Sequence, residues 1–180
     1  MIRTILVALA LGCLATPAAA EVVSKSANAF TLRFAVGLET TPEDVIVTVG
    51  DLPKWWDPAH TYTGDAANLS LALEEGGCWC ERLADGSIFE HATVTAVEPQ
   101  RVAMNAALGP LHDTATRSDL TFAVGPENRG WLVSMDFVVE GPGVGAYAEA
   151  VDGVMSGAWN RFIRYVEYGE DPATSDVTVD

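Results

Sequence analysis

From Asn68 onward, turn-forming residues recur at the spacing of successive β-hairpins: Gly76-Gly77, Asp85-Gly86, Pro99-Gln100, Gly109-Pro110 and the Gly125 to Gly130 segment. They separate runs at 68 to 74, 78 to 84, 87 to 97, 101 to 108, 114 to 124 and 131 to 140, each of a length natural to a strand. Upstream, the alternation in Ala29 to Leu38 puts Phe30, Leu32, Phe34 and Val36 on one face. The pattern predicts a seven-stranded antiparallel sheet. In the last run Trp131, Val133, Met135, Phe137 and Val139 alternate with Ser134, Asp136 and Glu140, so one side of the sheet has to be covered. A cover is supplied after Gly145, where Tyr147, Val151, Val154, Met155, Ala158, Phe162 and Val166 recur every three or four residues and predict a long amphipathic helix. Between the first strand and the meander, Thr41 as N-cap, Pro42 at the first helical position and Asp44 near the capping-box position start a short helix, which Gly50 and Pro53 end. The class is α+β.

The N-terminus carries one positive charge (Arg3), an apolar run from Ile5 to Leu14, Pro17, and small residues at Ala18 and Ala20. That is the order of a secretory signal with an A-x-A site before Glu21. The run is shorter than the roughly 20 residues a membrane span needs, so no stable membrane insertion is expected. Cys13 opens the rival reading of a lipidated cysteine, but Ala10-Leu11-Gly12 lacks the large aliphatic residue usual three positions upstream. We therefore expect a signal peptide at 1–20, one domain at 21–168, an acidic disordered tail at 169–180, and a periplasmic or secreted protein. A net charge of −15 repels phosphate backbones, so nucleic acid is not an expected partner.

Trp55-Trp56, GGCWCE with the DG turn that follows, VEPQR, ALGPL, and AVDGV at the start of the last helix together resemble the SRPBCC (START-like) superfamily. Within it they look like the polyketide cyclase and heat-shock ATPase activator group, and resemble an exported branch. The resemblance runs from about Phe30 to Tyr168. It implies a helix-grip fold, a seven-stranded curved antiparallel sheet around the long C-terminal helix, with a cavity that in this superfamily usually accepts an apolar small molecule. Carriers, receptors, cyclases and co-chaperones share that fold, so it does not fix a chemistry. Co-chaperone partners are intracellular, which export disfavours.

The sequence has no G-x-S-x-G, H-E-x-x-H or Walker loop. Gly141-Pro142-Gly143-Val144-Gly145-Ala146 fits G-x-G-x-x-[GA], but no second parallel strand follows and Pro142 removes a backbone donor, so a tight turn is the simpler reading. No cofactor is expected. Two functions remain open: an exported protein enclosing an apolar ligand without turnover, and a cyclase-like or hydrolytic enzyme using His91. The enzyme would need a second polar group converging on His91, whereas a carrier needs only one or two orienting groups. The candidate ligand-binding residues are Trp56, Cys78, Cys80, His91, Thr93, Leu120, Phe122, Val133, Met135 and Phe137. One of Trp55 and Trp56 is expected to plug the core.

If Asp85-Gly86 forms a two-residue type I′ turn, Arg82 pairs with Phe89, Cys80 with His91 and Cys78 with Thr93. Cys78, Cys80 and His91 then share a face. That face is expected inward because it carries Phe89, Thr93 and Val97, while Glu81 and Glu90 take the other. Three uses of the cysteines stay open: a Cys78–Cys80 disulfide, reduced thiols in the cavity wall, and a metal site with His91, which is short of ligands at three. The disulfide needs a bend or bulge, because two residues of extended strand hold their Cα atoms roughly 6.5 to 7 Å apart, near the limit for a bridge.

Overall fold

The computed structural model describes residues 21–169; the expected signal peptide and all but the first residue of the expected tail lie outside the described residues. Eight strands form one sheet: β1 (Glu21–Lys25), β2 (Ala29–Leu38), β3 (Leu69–Leu71), β4 (Cys78–Arg82), β5 (Ile88–Glu98), β6 (Arg101–Asn105), β7 (Arg117–Glu127) and β8 (Gly130–Glu140). Their order is β1-β2-β8-β7-β6-β5-β4-β3, and every neighbouring pair is antiparallel. The meander from β3 to β8 follows the expected turns, and β2 returns beside β8. The sheet has eight strands, one more than the seven expected. The addition is β1, a short edge strand that pairs Glu21 with Arg33 and shifts register between Val22 and Ser24, too brief and irregular to show alternation.

Three helices cover one face: α1 (Pro42–Gly50), α2 (Leu52–Trp55) and α3 (Ala148–Tyr168). The start of α1 is fixed by its cap, where the Asp44 amide donates to Thr41 Oγ1 at 3.1 Å. The left-handed Gly169 ends α3 and donates its amide to the Tyr165 carbonyl. The core lies between these helices and the central strands. Leu32 and Phe34 of β2, Leu120 and Phe122 of β7, and Met135 and Phe137 of β8 line up by register and are buried. From the helical side, Trp55 packs 5.2 Å from Phe162 and 6.0 Å from Phe122 between ring centroids, and Phe34 lies 6.0 Å from Trp159. The indole Nε1 of Trp55 donates to the Thr48 carbonyl at 2.8 Å, so this tryptophan plugs the core beside α1 with its polar edge satisfied.

The β4–β5 hairpin differs from the expected one. Leu83 donates its amide to Ser87 and Gly86 donates to Leu83, closing a three-residue loop in which Gly86 takes φ +85°. Asp-Gly serves this loop as readily as a two-residue turn, since both require a residue at positive φ. The pairs near the turn therefore shift by one residue: Arg82 faces Ile88, Glu81 faces Phe89 and Cys80 faces Glu90. Beyond a bulge between Trp79 and Cys80 the expected register returns, with Cys78 opposite Thr93. His91 is the extra residue on β5. It and Ala92 are buried in succession, breaking the alternation that runs through the rest of the strand.

Candidate functional site

The three-residue turn reverses the expected facing of β4. Trp79 and Glu81 are buried on the helix-covered face, whereas Cys78 and Cys80 are partly exposed on the other. His91 joins Glu81 inside because the three-residue turn sets Glu81 opposite Phe89, two residues from His91 on the same face; beyond the bulge Ala92 is also inside and Thr93 turns outward with Cys78. The cysteines and His91 accordingly do not converge, and among the described residues no group of three or more His, Cys, Asp or Glu is placed to hold a metal ion. Cys78 and Cys80 are joined by a disulfide whose Cα atoms lie 5.3 Å apart, closer than regular strand allows, and the bulge falls at the same step.

Glu81 is the anchor of the inner face. Its side chain is fully buried, Oε1 accepts from the Thr63 amide at 2.7 Å, and Oε2 accepts from the Tyr62 amide at 3.0 Å. Oε2 also lies 2.8 Å from His91 Nε2. Burial pushes the carboxyl up, but the hydrogen bonds from Thr63, the Tyr62 amide and His91 outweigh it and hold Glu81 below its ordinary value. His91 moves down as well: burial disfavours the imidazolium more strongly than Glu81 favours it. The pair is thus a carboxylate and a neutral imidazole whose Nε2–H is donated to Glu81. Nδ1 is left as the acceptor of a ring fixed from behind by a carboxylate, the arrangement that orients a histidine as a base.

Beside this pair is a pocket of about 270 Å³. Its walls come from the segment after α2 (Trp56, His60, Thr61, Tyr62), the sheet (Leu69, Trp79, His91), the loop after β6 (Leu108 to Pro110) and the first half of α3 with the turn before it (Tyr147, Val151, Val154, Met155). Aromatic rings dominate. Trp56 and Trp79 meet edge to face at 4.7 Å, and Tyr62 stacks on His91 at 5.5 Å. Trp56 Nε1 is satisfied by the His60 carbonyl at 3.0 Å, but Trp79 Nε1 is buried with no acceptor in the protein.

Of the residues singled out from sequence, Trp56 and His91 line the pocket. Leu120, Phe122, Val133, Met135 and Phe137 do not. They are at most 1 % exposed in the packed centre of the sheet, where Trp55, Trp159 and Phe162 fill the space expected for a ligand and leave the void at the β3–β5 end. Thr93 is on the outer face with Cys78 and Cys80, its hydroxyl donating to Glu90. Sequence reasoning put Glu81 outside. The signal that would have found it is Trp79, a large apolar residue two positions away and hence on the same face.

No family model and no curated protein matches the sequence. Solved structures do match, and what they show is the fold: an antiparallel sheet gripping a long C-terminal helix, shared with ARO/CYC proteins and Aha1. The di-domain ARO/CYC StfQ from the steffimycin biosynthetic pathway superposes with a TM-score of 0.52 at 10% identity, over 78% of this chain and 51% of that one. The chain thus spans about half the length of that di-domain protein. The Aha1 dimer from Colwellia psychrerythraea gives a TM-score of 0.56 at 16% identity, over 77% of this chain and 97% of the other. An uncharacterized protein from Rhizobium leguminosarum gives 0.54 at 20% identity, over 81% and 99%.

Proposed function

We propose that the protein binds a small, mainly apolar molecule in the pocket between Trp79, His91 and α3, and that it does so after export. The observation that carries this reading is the cavity of about 270 Å³ itself, walled mainly by aromatic and aliphatic side chains with His91 and Thr61 among its few polar groups. Such a site suits a largely apolar molecule oriented by one or two polar contacts. The likeness to polyketide cyclases is in keeping with small-molecule binding and says nothing of the ligand's identity. The expected signal at 1–20 supports a periplasmic location.

The test is a fluorescence titration with N-phenyl-1-naphthylamine, a neutral apolar probe, against the native protein and a Val154→Trp variant that fills the pocket. Saturable binding by the native chain and its loss in the variant are expected; no saturable binding by either would end the proposal. N-terminal sequencing of protein from its own host should begin at Glu21, and a start at a lipid-modified Cys13 would refute the soluble-export part.

Glu81 favours a second reading. An enzyme needs a second polar group on His91, and a buried carboxylate at 2.8 Å is such a group. In that reading His91 Nδ1 takes a proton from the bound molecule while Glu81 stabilises the imidazolium. Loss of turnover in His91→Gln with probe affinity retained would separate the enzyme from the carrier.

A further inference from the structure

We infer that the Glu81–His91 pair selects the bound molecule by its hydrogen-bonding sense: the pocket takes a ring compound that carries a hydroxyl and discriminates against the ether or ketone of the same shape, an inference that rests on the pocket being the binding site. The selection begins at Glu81. Its side chain is fully buried and already accepts from the Tyr62 and Thr63 amides, and an ionised carboxylate can only accept, so its bond with His91 is one in which the imidazole donates. That places the proton of the neutral ring on Nε2 and leaves a lone pair on Nδ1. Tyr62, stacked at 5.5 Å, and Phe89, at 4.9 Å, pack the ring in place.

Nδ1 is the polar point that remains. Among the described residues no group donates to it. Nor is it sealed in the core: the side-chain nitrogens and oxygens buried without a partner are Trp79 Nε1 and Asp152 Oδ1, and His91 stands in the pocket wall. The donors of the neighbouring segment are committed elsewhere. Thr61 Oγ1 donates to the Pro58 carbonyl at 2.8 Å, Trp56 Nε1 to the His60 carbonyl at 3.0 Å, and the Tyr62 and Thr63 amides to Glu81. A molecule seated against Trp56, Trp79 and Val154 therefore meets an acceptor at His91, and an O–H on its ring completes the pair. A carbonyl or ether oxygen at that point sets lone pair against lone pair and leaves Nδ1 unsatisfied in an apolar wall.

The experiment titrates 2-naphthol, 2-methoxynaphthalene and naphthalene calorimetrically into the native protein and a His91→Leu variant, at about pH 8 where the imidazole is neutral. The native protein should bind 2-naphthol about tenfold more tightly than either of the others, the scale of one hydrogen bond, and His91→Leu should bind all three alike. Naphthalene separates the missing donor from crowding by the methyl group. Long-range proton–nitrogen NMR reads the ring directly in the native chain: Nε2 should carry the proton, and 2-naphthol should shift Nδ1 while naphthalene leaves it in place. Equal affinities for the three compounds in the native protein would overturn the inference and leave the pocket standing. A proton on Nδ1 in the free protein would overturn it as well, and so would a preference for 2-naphthol that survives in His91→Leu. If none of the three binds the native chain, the pocket reading fails and the inference falls with it.

Discussion

Glu81 and His91 sit on adjacent strands ten residues apart in sequence, and their side chains meet at 2.8 Å inside the protein although a two-residue turn would put them on opposite faces. The three-residue turn, which sets Glu81 opposite Phe89, makes the contact. Glu81 also holds the backbone of Tyr62 and Thr63, so this one carboxylate joins the sheet, the imidazole and the pocket lip.

Replacing Glu81 with Gln keeps its size but turns one acceptor into a donor facing donors. We expect Glu81→Gln to destabilise the fold by about 2 kcal/mol in urea unfolding, within the range for an unsatisfied buried group. Because Glu81 favours the protonated imidazole, the variant should also lower the His91 pKa further, as read by NMR titration of the ring. A His91 titration that moved upward would contradict the assignment.

Acid should weaken the protein in two stages of the same sign. The folded His91 titrates below its ordinary value of 6.5, so as pH falls through 6.5 the unfolded chain takes up its proton first and stability declines until the folded pKa is reached. The folded Glu81 titrates below its ordinary 4.5, so its contribution, complete above 4.5, is lost as pH falls through the lower folded value. Urea midpoints measured from about pH 8 to 3 should show both stages, and His91→Gln should remove the upper one alone.

Gly153 and Gly157 are exposed in the middle of α3, and a Cβ at either would meet nothing within 4 Å. Alanine at each should raise stability by about 0.8 kcal/mol through the lower entropy of the unfolded chain. Thermal unfolding of the single variants and the pair checks this. A loss of stability would reveal a role for these glycines that the packing does not show.

Trp79→Phe removes a buried N–H that has no partner and keeps most of the ring. Its stability change should be small, under about 1.5 kcal/mol for a near-isosteric replacement. Its affinity for N-phenyl-1-naphthylamine should hold, because Phe keeps the six-membered ring in the pocket wall; a large loss would show that the pyrrole edge of the indole shapes the site.

The sheet and its helical cover were legible because apolar alternation and turn residues record which face is buried, as in the run from Trp131 to Val139. Strand β1 was not, since EVVSK is too short and irregular to carry a period. The spacing of two cysteines on a strand left a disulfide as one of three uses, and its need for a bend or bulge followed from that spacing. The side to which they point did not, because Asp85-Gly86 fits both a two-residue and a three-residue turn, and a shift of one residue exchanges the faces. Glu81 was misplaced because a glutamate in a strand normally faces water, and the Tyr62 and Thr63 amides that satisfy it come from a loop about twenty residues upstream.

The turn before α3 spells a nucleotide-binding pattern for a reason unrelated to nucleotides. A Cβ on Gly145 would fall 1.8 Å from the Ser26 carbonyl oxygen, and one on Gly141 2.3 Å from that of Thr114, while Gly143 takes φ +75° and donates its amide to Asn28 Oδ1 at 3.0 Å. Gly145 in turn donates its amide to the Ala27 carbonyl. The letters are the imprint of backbone pressed against this loop, the β1–β2 turn at Gly145 and the segment before β7 at Gly141. The path of the first hairpin therefore fixes Gly145 whatever side chains stand at 26 and 27, and a descendant that lost this glycine would have to rebuild that hairpin in the same step.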